Sequence, residues 1–283
     1  MKTTDLLWEK DGLPVIVKRS RVEDKYRTLL NYMRLFSTGM KNRWARVYVD
    51  LYSGGGAVSL EGDDRIYKGS SLLALDVPDK FDKYIFCEES KKLCDALEQR
   101  IKTNYADTNY TIIQGDCNQN IARILNEVPK KINGRPVLTL CMVDPNSLEV
   151  KLGTIQKVAS IGKVDFIVLM ALMMDANRNL QNYLNPENKK IEEFLTNPEW
   201  RAEWLEFKTK DDSFPRFLIE SFENKMKGFG YELANENIPK REVRSRKRNL
   251  PLYHLAFFSK DLLGFKFWGN AIKYSTTQGS FEL

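Results

Sequence analysis

Val47-Tyr48-Val49-Asp50-Leu51-Tyr52-Ser53-Gly54-Gly55-Gly56-Ala57 decides the fold of this chain. Residues 47–51 form a short apolar, β-rich run, the signature of a buried strand. The run breaks at an acidic residue and then at three consecutive glycines. In α/β proteins a strand that ends in glycines ahead of a helix brings backbone close to a nucleotide. A Cβ there would block both the tight turn and the approach of the ligand. A glycine turn with no ligand is the alternative, and the glycines alone do not choose between the two. Their spacing does narrow the ligand. Ser59 stands where a dinucleotide fingerprint places its third glycine, so no diphosphate cradle is expected.

With 283 residues, the chain is long enough for one large α/β domain with additions. Its apolar content of 42% is ordinary for a globular protein, and a net charge of +6 permits an anionic partner without demanding one. Cys87, Cys94, Cys117 and Cys141 make no C-x-x-C pair, which points to reduced, structural thiols in a cytoplasmic protein and to no metal centre. His254 is the single histidine and lies in an apolar strand, so histidine-rich metal sites and a histidine-based triad are set aside. No stretch is long and apolar enough to span a membrane, and the first residues lack the apolar core of a signal peptide.

Residues 1–21 read as an extended arm, followed by a helix over 22–40 in which Val22, Tyr26, Leu29, Leu30 and Met33 recur at helical spacing. This is a packing helix that can also roof a ligand. Residues 61–65 read as polar loop, and Ser70 or Ser71 as the capped start of a helix. Strands are then expected at 83–88, 110–116, 136–143 and 164–170, with helices at 90–102, 118–128 and 152–161 between them. Together with the first strand these make five strands alternating with helices, which implies a parallel, doubly wound sheet. From 180 the alternation is interrupted by loop at 182–186, helix over 189–208 with a break at Asn197-Pro198, and helix over 214–229. Strands at 231–239 and 252–259 then read as a closing antiparallel pair. The organisation expected is one domain: an N-terminal helical arm (1–45), a ligand-binding core (46–180), a helical insertion (181–230) and a closing hairpin with C-terminal segment (231–283).

In such a sheet the ligand lies beyond the carboxyl ends of the strands. Asp50, Glu88, Asp116 and Asp144 end four of them, and Asp175 follows the fifth. Helix capping accounts for any one acid. Several at one edge suit a ligand with a cation, a ribose and an amino-bearing base. Glu88 can accept from two ribose hydroxyls, and Asp116 with the backbone at Cys117 can receive a base amino group.

Asp50-Leu51-Tyr52-Ser53-Gly54-Gly55-Gly56 resembles the D-L-F-x-G-x-G first motif of class I methyltransferases. More broadly, about residues 18–268 resemble the three-Cys-motif partner protein family (TcmP), a branch of class I methyltransferase-like proteins. The matching stretches are 25–32, 48–56, 69–75, Gly115-Asp116-Cys117-Asn118, Val143-Asp144-Pro145 and 254–260. Gly55 departs from that pattern, where proline is usual, as do Asn146-Ser147, where an aromatic and a glycine are usual. The resemblance implies a Rossmann-like α/β fold with a doubly wound, mostly parallel seven-stranded sheet, and S-adenosyl-L-methionine as cofactor, held by Asp50, Tyr52, Ser53, Gly54, Gly56, Glu88, Asp116 and Cys117. It also implies a radical-SAM-like partner that carries the three cysteines.

Asp144-Pro145-Asn146-Ser147 sits where amino-methyltransferases carry a Pro-Pro-aromatic motif, but the second proline and the aromatic are missing. Cytosine C5 chemistry needs a cysteine nucleophile, usually after proline, and the chain has no Pro-Cys. Asp144, Asp175 and Arg178 are the polar groups expected nearest the methyl acceptor. Residues 240–248 hold six basic residues in nine, and Arg241, Arg244, Arg246, Lys247 and Arg248 are candidate phosphate contacts of a nucleic acid. A solvated hairpin loop explains the same run. Tyr253, Phe265, Phe267 and Trp268 can stack bases or simply pack. The functional expectation is a methyltransferase acting on nucleic acid or a nucleotide-like substrate. A non-catalytic nucleic-acid-binding or partner-binding module on the same fold stands beside it.

Overall fold

The computed structural model describes residues 3–18, 23–170, 172–231, 241–244 and 251–276. A 3₁₀ turn (Thr3–Leu6) leads into short strands β1 (Leu7–Trp8) and β2 (Ile16–Lys18), then helix α1 (Glu23–Met40). Strand β3 (Ala45–Asp50) carries the apolar run into the glycine loop, and a hairpin of β4 (Ala57–Leu60) and β5 (Asp63–Lys68) follows, with α2 (Ser70–Leu75) after it. The alternation continues through β6 (Lys83–Glu88), α3 (Lys91–Asn104), β7 (Tyr110–Gln114), α4 (Ile121–Glu127), β8 (Lys131–Ile132), β9 (Arg135–Val143), α5 (Leu152–Ala159) and β10 (Lys163–Met170). Four helices come next: α6 (Leu172–Leu184), α7 (Lys190–Leu195), α8 (Trp200–Lys208) and α9 (Phe214–Gly228). Strands β11 (Arg241–Arg244) and β12 (Pro251–Phe258) and helix α10 (Leu262–Thr276) complete the described chain.

The main sheet runs β11-β12-β10-β9-β3-β6-β7, with β8 pairing β9 to the side. From β10 to β7 the neighbours are parallel, whereas β12 is antiparallel to β10 and β11 to β12. The architecture is therefore mixed α/β, and the sheet is more mixed than the alternation alone suggests. Strand alternation sends successive side chains to opposite faces and builds two cores. Val47, Val49, Phe166 and Val168 pack on one side with Trp200, Trp204 and Phe217 of the helical insertion. Tyr48, Ile167 and Leu169 pack on the other with Tyr26, Leu29, Leu30 and Met33 of α1 and Trp268 of α10.

Three expectations are corrected. The stretch after the glycines is not simple loop: β4 and β5 form a hairpin, and with β1 and β2 they build a second sheet in the order β1-β5-β4-β2. Strand pairing of the arm, which no local pattern announces, supplies half of that sheet. Residues 182–184 are not loop but the last turn of α6, held by Arg201, which donates to the backbone oxygens of Tyr183 and Leu184 at 3.1 and 3.2 Å. Part of the basic run is strand, since Arg241 to Arg244 pair with β12; the strand expected over 231–239 lies almost wholly outside the described residues.

Candidate functional site

The carboxyl ends of β3, β6, β7 and β9 open on one cavity of about 240 Å³. At its centre is the glycine loop. Gly54 and Gly56 stand at φ +60° and +88°, a left-handed conformation that favours glycine. Gly54 N–H donates to Glu88 Oε2 at 3.0 Å, and Ser90 N–H donates to Oε1 at 2.8 Å. Two amides thus fix the Glu88 carboxylate at the cavity wall and leave it lone pairs for a ligand's donors. Beyond it, Asp116 Oδ1 accepts from the amides of Asn118 and Gln119 at 2.5 and 3.2 Å.

Asn118 ties two walls together. Its Oδ1 accepts from Lys151 N–H at 3.0 Å and Thr154 Oγ1 at 2.8 Å, and its Nδ2 donates to Glu149 O at 3.0 Å. The loop after β7 is thereby stapled to the loop after β9. At that end Asp144 accepts from Lys25 Nζ at 2.6 Å, and Lys18 Nζ donates to Asn146 Oδ1 at 3.0 Å. Burial pushes the Lys18 ammonium down, as does neighbouring Lys25, while Asp144, Glu149 and Glu88 oppose the shift.

The arm is clamped over this loop by a residue that no sequence motif marks. Arg100 on α3 is 1% exposed. Its Nε and Nη2 pair with the Asp11 carboxylate at 2.7 and 2.9 Å, and its Nη1 donates to Pro14 O at 3.0 Å and to Gly55 O. Desolvation pushes the Asp11 carboxyl up, but hydrogen bonds from Arg100, Trp8 and Leu13 outweigh it and hold the group down at about 2. The same packing accounts for the departure at position 55. A Cβ there would lie 3.1 Å from Pro14 O and 3.1 Å from Leu93 Cδ2. Strand β2 then brings Ile16 and Lys18 into the cavity lining, and α1 contributes Tyr26.

Tyr52, Ser53, Gly54, Gly56, Glu88, Asp116, Cys117 and Asp144 all line the cavity. Asp50 is not among the lining residues. As the last residue of β3 it is fully buried, and it accepts from Tyr48 Oη at 3.1 Å, Ser70 Oγ at 2.6 Å and Tyr52 N–H at 3.2 Å. Tyr48 lies two residues back and so on the same strand face. Burial pushes Asp50 up to about 6. Its work is to tie β3 to the start of α2 behind the loop. Arg178 is exposed on α6 and is not among the lining residues; α6 also carries Asp175, whose side chain lies outside the described residues. Arg246, Lys247 and Arg248 lie outside the described residues, and Arg241 and Arg244 are described only as backbone in β11. Of the aromatics that could stack bases or pack, Phe265 and Trp268 are buried and Phe267 is packed against the same core, while the Tyr253 side chain lies outside the described residues.

All four cysteines are free and buried. Burial pushes the Cys94 and Cys117 thiols up to about 11 and raises Cys87 and Cys141 further, so none is an activated nucleophile. Among the described residues no helix is long and apolar enough to cross a membrane.

No protein-family model matches the chain, and no curated protein matches it. Solved structures do. A Legionella pneumophila protein is similar at 12% identity and TM-score 0.49, over 91% of this chain and 94% of its own. Pyrococcus horikoshii TYW2, solved in complex with MeSAdo, is similar at 12% identity and TM-score 0.44, over 90% of this chain and 71% of its own. A P. horikoshii protein described as a candidate RNA methyltransferase is similar at 14% identity and TM-score 0.42, over 88% of this chain and 94% of its own. The resemblance to the TcmP family accordingly rests on the motifs alone.

Proposed function

We propose that this chain is an S-adenosylmethionine-dependent methyltransferase of the class I type, acting on nucleic acid or a nucleotide-like substrate. One observation carries the reading. The glycine loop, Glu88, Asp116 and Asp144 sit at the ends of four consecutive strands and line one cavity. The charge of that cavity selects among nucleotide-like ligands. Its described lining has five carboxylates, Glu88, Glu89, Asp116, Asp144 and Glu149, against the single ammonium of Lys18. Such a wall repels a diphosphate and attracts a sulfonium or ammonium.

The residues present fit the cofactor. The positive-φ glycines let backbone approach it, Glu88 is oriented for hydroxyl donors, and Asp116 keeps acceptor capacity for an amino group. Asp144 Oδ1 is buried with no hydrogen-bond partner and lies in the wall. Bound S-adenosylmethionine would supply a methyl group already activated by its positive sulfur. The chain's own part is then to orient the acceptor and exclude water. The arm excludes water by closing one side of the cavity through Ile16 and Lys18.

Resemblance to TcmP adds a radical-SAM-like partner to the proposal, and the arginine-rich run at 240–248 supports a nucleic-acid contact. The test is methyl transfer from labelled S-adenosylmethionine to RNA and DNA, beside a salt titration of binding. Label should enter one polymer, and Arg244→Ala/Arg246→Ala/Arg248→Ala should flatten the salt slope by about one unit for each phosphate no longer neutralised. Polymer binding without label transfer, with or without a partner protein, favours the non-catalytic module instead.

A further inference from the structure

Arg100 spends its whole guanidinium on two segments that are far apart in sequence. Its Nη1 donates to Gly55 O and to Pro14 O, its Nη2 to Leu13 O at 3.3 Å, and its Nε and Nη2 to the Asp11 carboxylate. Among the described residues, Asp11, Leu13 and Pro14 make hydrogen bonds beyond the arm to this side chain only. Arg100 is buried, yet it is not among the residues that line the cavity. It therefore acts on a ligand only through the segments it holds.

Both segments are walls of the cavity. The arm runs on into β2, which supplies Ile16 and Lys18, and Gly55 is the middle of the glycine loop. A trans peptide sends its C=O and N–H to opposite sides, so fixing Gly55 O also fixes Gly56 N–H, turned away from Arg100. The arm rests on the loop itself. A Cβ at Gly54 would lie 3.0 Å from Ile16 Cδ1, and one at Gly55 would lie 3.1 Å from Pro14 O. The arm can cross here because position 55 carries no side chain. Lifting the arm would take from buried Arg100 its counter-charge and two of its three carbonyl acceptors, a costly state for a buried ion. Docked and lifted arms are therefore two distinct states.

We propose that Arg100 is a positioning residue that locks the arm and the glycine loop together around the bound cofactor, so that arm docking and cofactor binding are linked. The inference rests on the cofactor reading above and adds to it the contact that closes the site. A ligand that touches both walls binds the docked state more tightly and shifts the population towards it. Reciprocity then makes a quantitative demand. The factor by which bound ligand favours docking equals the factor by which docking tightens the ligand.

Two measurements on the whole chain test this without knowledge of the methyl acceptor. The first is the rate of proteolytic cleavage within residues 9–18, with cleavage in the helical insertion as an internal reference. Saturating S-adenosylhomocysteine should slow cleavage of the wild-type arm by about fivefold or more relative to that reference. The second is calorimetric affinity for S-adenosylhomocysteine. Arg100→Ala should weaken it by the same factor that the ligand gives in arm protection, although Arg100 is not a lining residue. Gly55→Ala, whose Cβ meets Pro14 O, should weaken it in the same direction with the guanidinium still present. Asp11→Asn, on the exposed side of the clamp, gives the same test where Arg100→Ala fails to fold. A merely structural Arg100 would lower resistance to urea and leave the affinity of the folded protein unchanged. A wild-type arm that S-adenosylhomocysteine binds without protecting, or protects no more than the insertion, overturns the linkage and leaves the cofactor reading intact. Wild-type affinity in Arg100→Ala, or in Asp11→Asn where that variant replaces it, overturns the role of Arg100. No binding of S-adenosylhomocysteine to the wild type at millimolar ligand overturns both the inference and the reading beneath it.

Discussion

At the scale of single residues, the acids at the strand ends divide by what already satisfies them. Glu88 and Asp116 are braced by backbone amides and still face the cavity, so strand position and residue type were enough to find them. Asp50 belongs to the same sequence pattern, yet Tyr48 and Ser70 hold it from inside the fold. Nothing local announces Ser70, which is twenty residues away. Lys25 and Asp144 are 119 residues apart, and their pairing was equally hidden. A third buried acid gives a pH test. Tyr32 Oη donates to Asp165 Oδ2 at 3.2 Å, and burial pushes this carboxyl from 3.8 up to about 6. Its folded form holds the proton more tightly than the unfolded chain does. From about pH 4 to about pH 6 the unfolded state therefore releases it first, and this group's contribution to stability falls as pH rises. The loss is complete above about pH 6 and amounts to about 2–3 kcal/mol. Asp165→Asn should gain that much relative to the wild type between pH 4 and pH 7 in urea unfolding. A difference that stays flat across this range contradicts the assignment.

Among the elements, the N-terminal arm departs most from its sequence reading. Its apolar spacing is too short to declare strands, and β1 and β2 form only because the hairpin β4–β5 offers them edges. The long helix α1, by contrast, was legible because its buried positions recur at helical spacing over several turns. Arg100 joins arm and glycine loop, since one guanidinium reaches Asp11, Pro14 O and Gly55 O. Asp11 is 27% exposed, so its share of the pair is partly screened. Arg100→Ala should cost about 2–4 kcal/mol and Asp11→Asn about 1 kcal/mol. Both should speed proteolytic cleavage within residues 9–18 while the sheet stays folded, as read by mass spectrometry of the fragments. Cleavage of the arm at the wild-type rate in Arg100→Ala contradicts the clamp.

On the scale of the whole molecule, the parallel half of the sheet followed from apolar runs separated by helical periods, a pattern that needs no tertiary information. In the closing half, the strand at 252–259 and its antiparallel pairing were legible too, whereas the place of β12 beside β10 depends on long-range pairing and its partner β11 falls at Arg241–Arg244. The site inherits this division. Its floor comes from strand ends that local pattern reveals, and its roof from an arm whose hydrogen bonds span the chain. If this floor and roof hold S-adenosylmethionine or its product, calorimetric titration of S-adenosylhomocysteine into the wild type and Glu88→Ala will register it. Binding to the wild type should be saturable, and Glu88→Ala should weaken it by about 1–3 kcal/mol through the loss of charge-assisted hydrogen bonds. Folded wild-type protein that shows no binding at millimolar ligand, or Glu88→Ala that binds as the wild type does, contradicts a cofactor site at these strand ends.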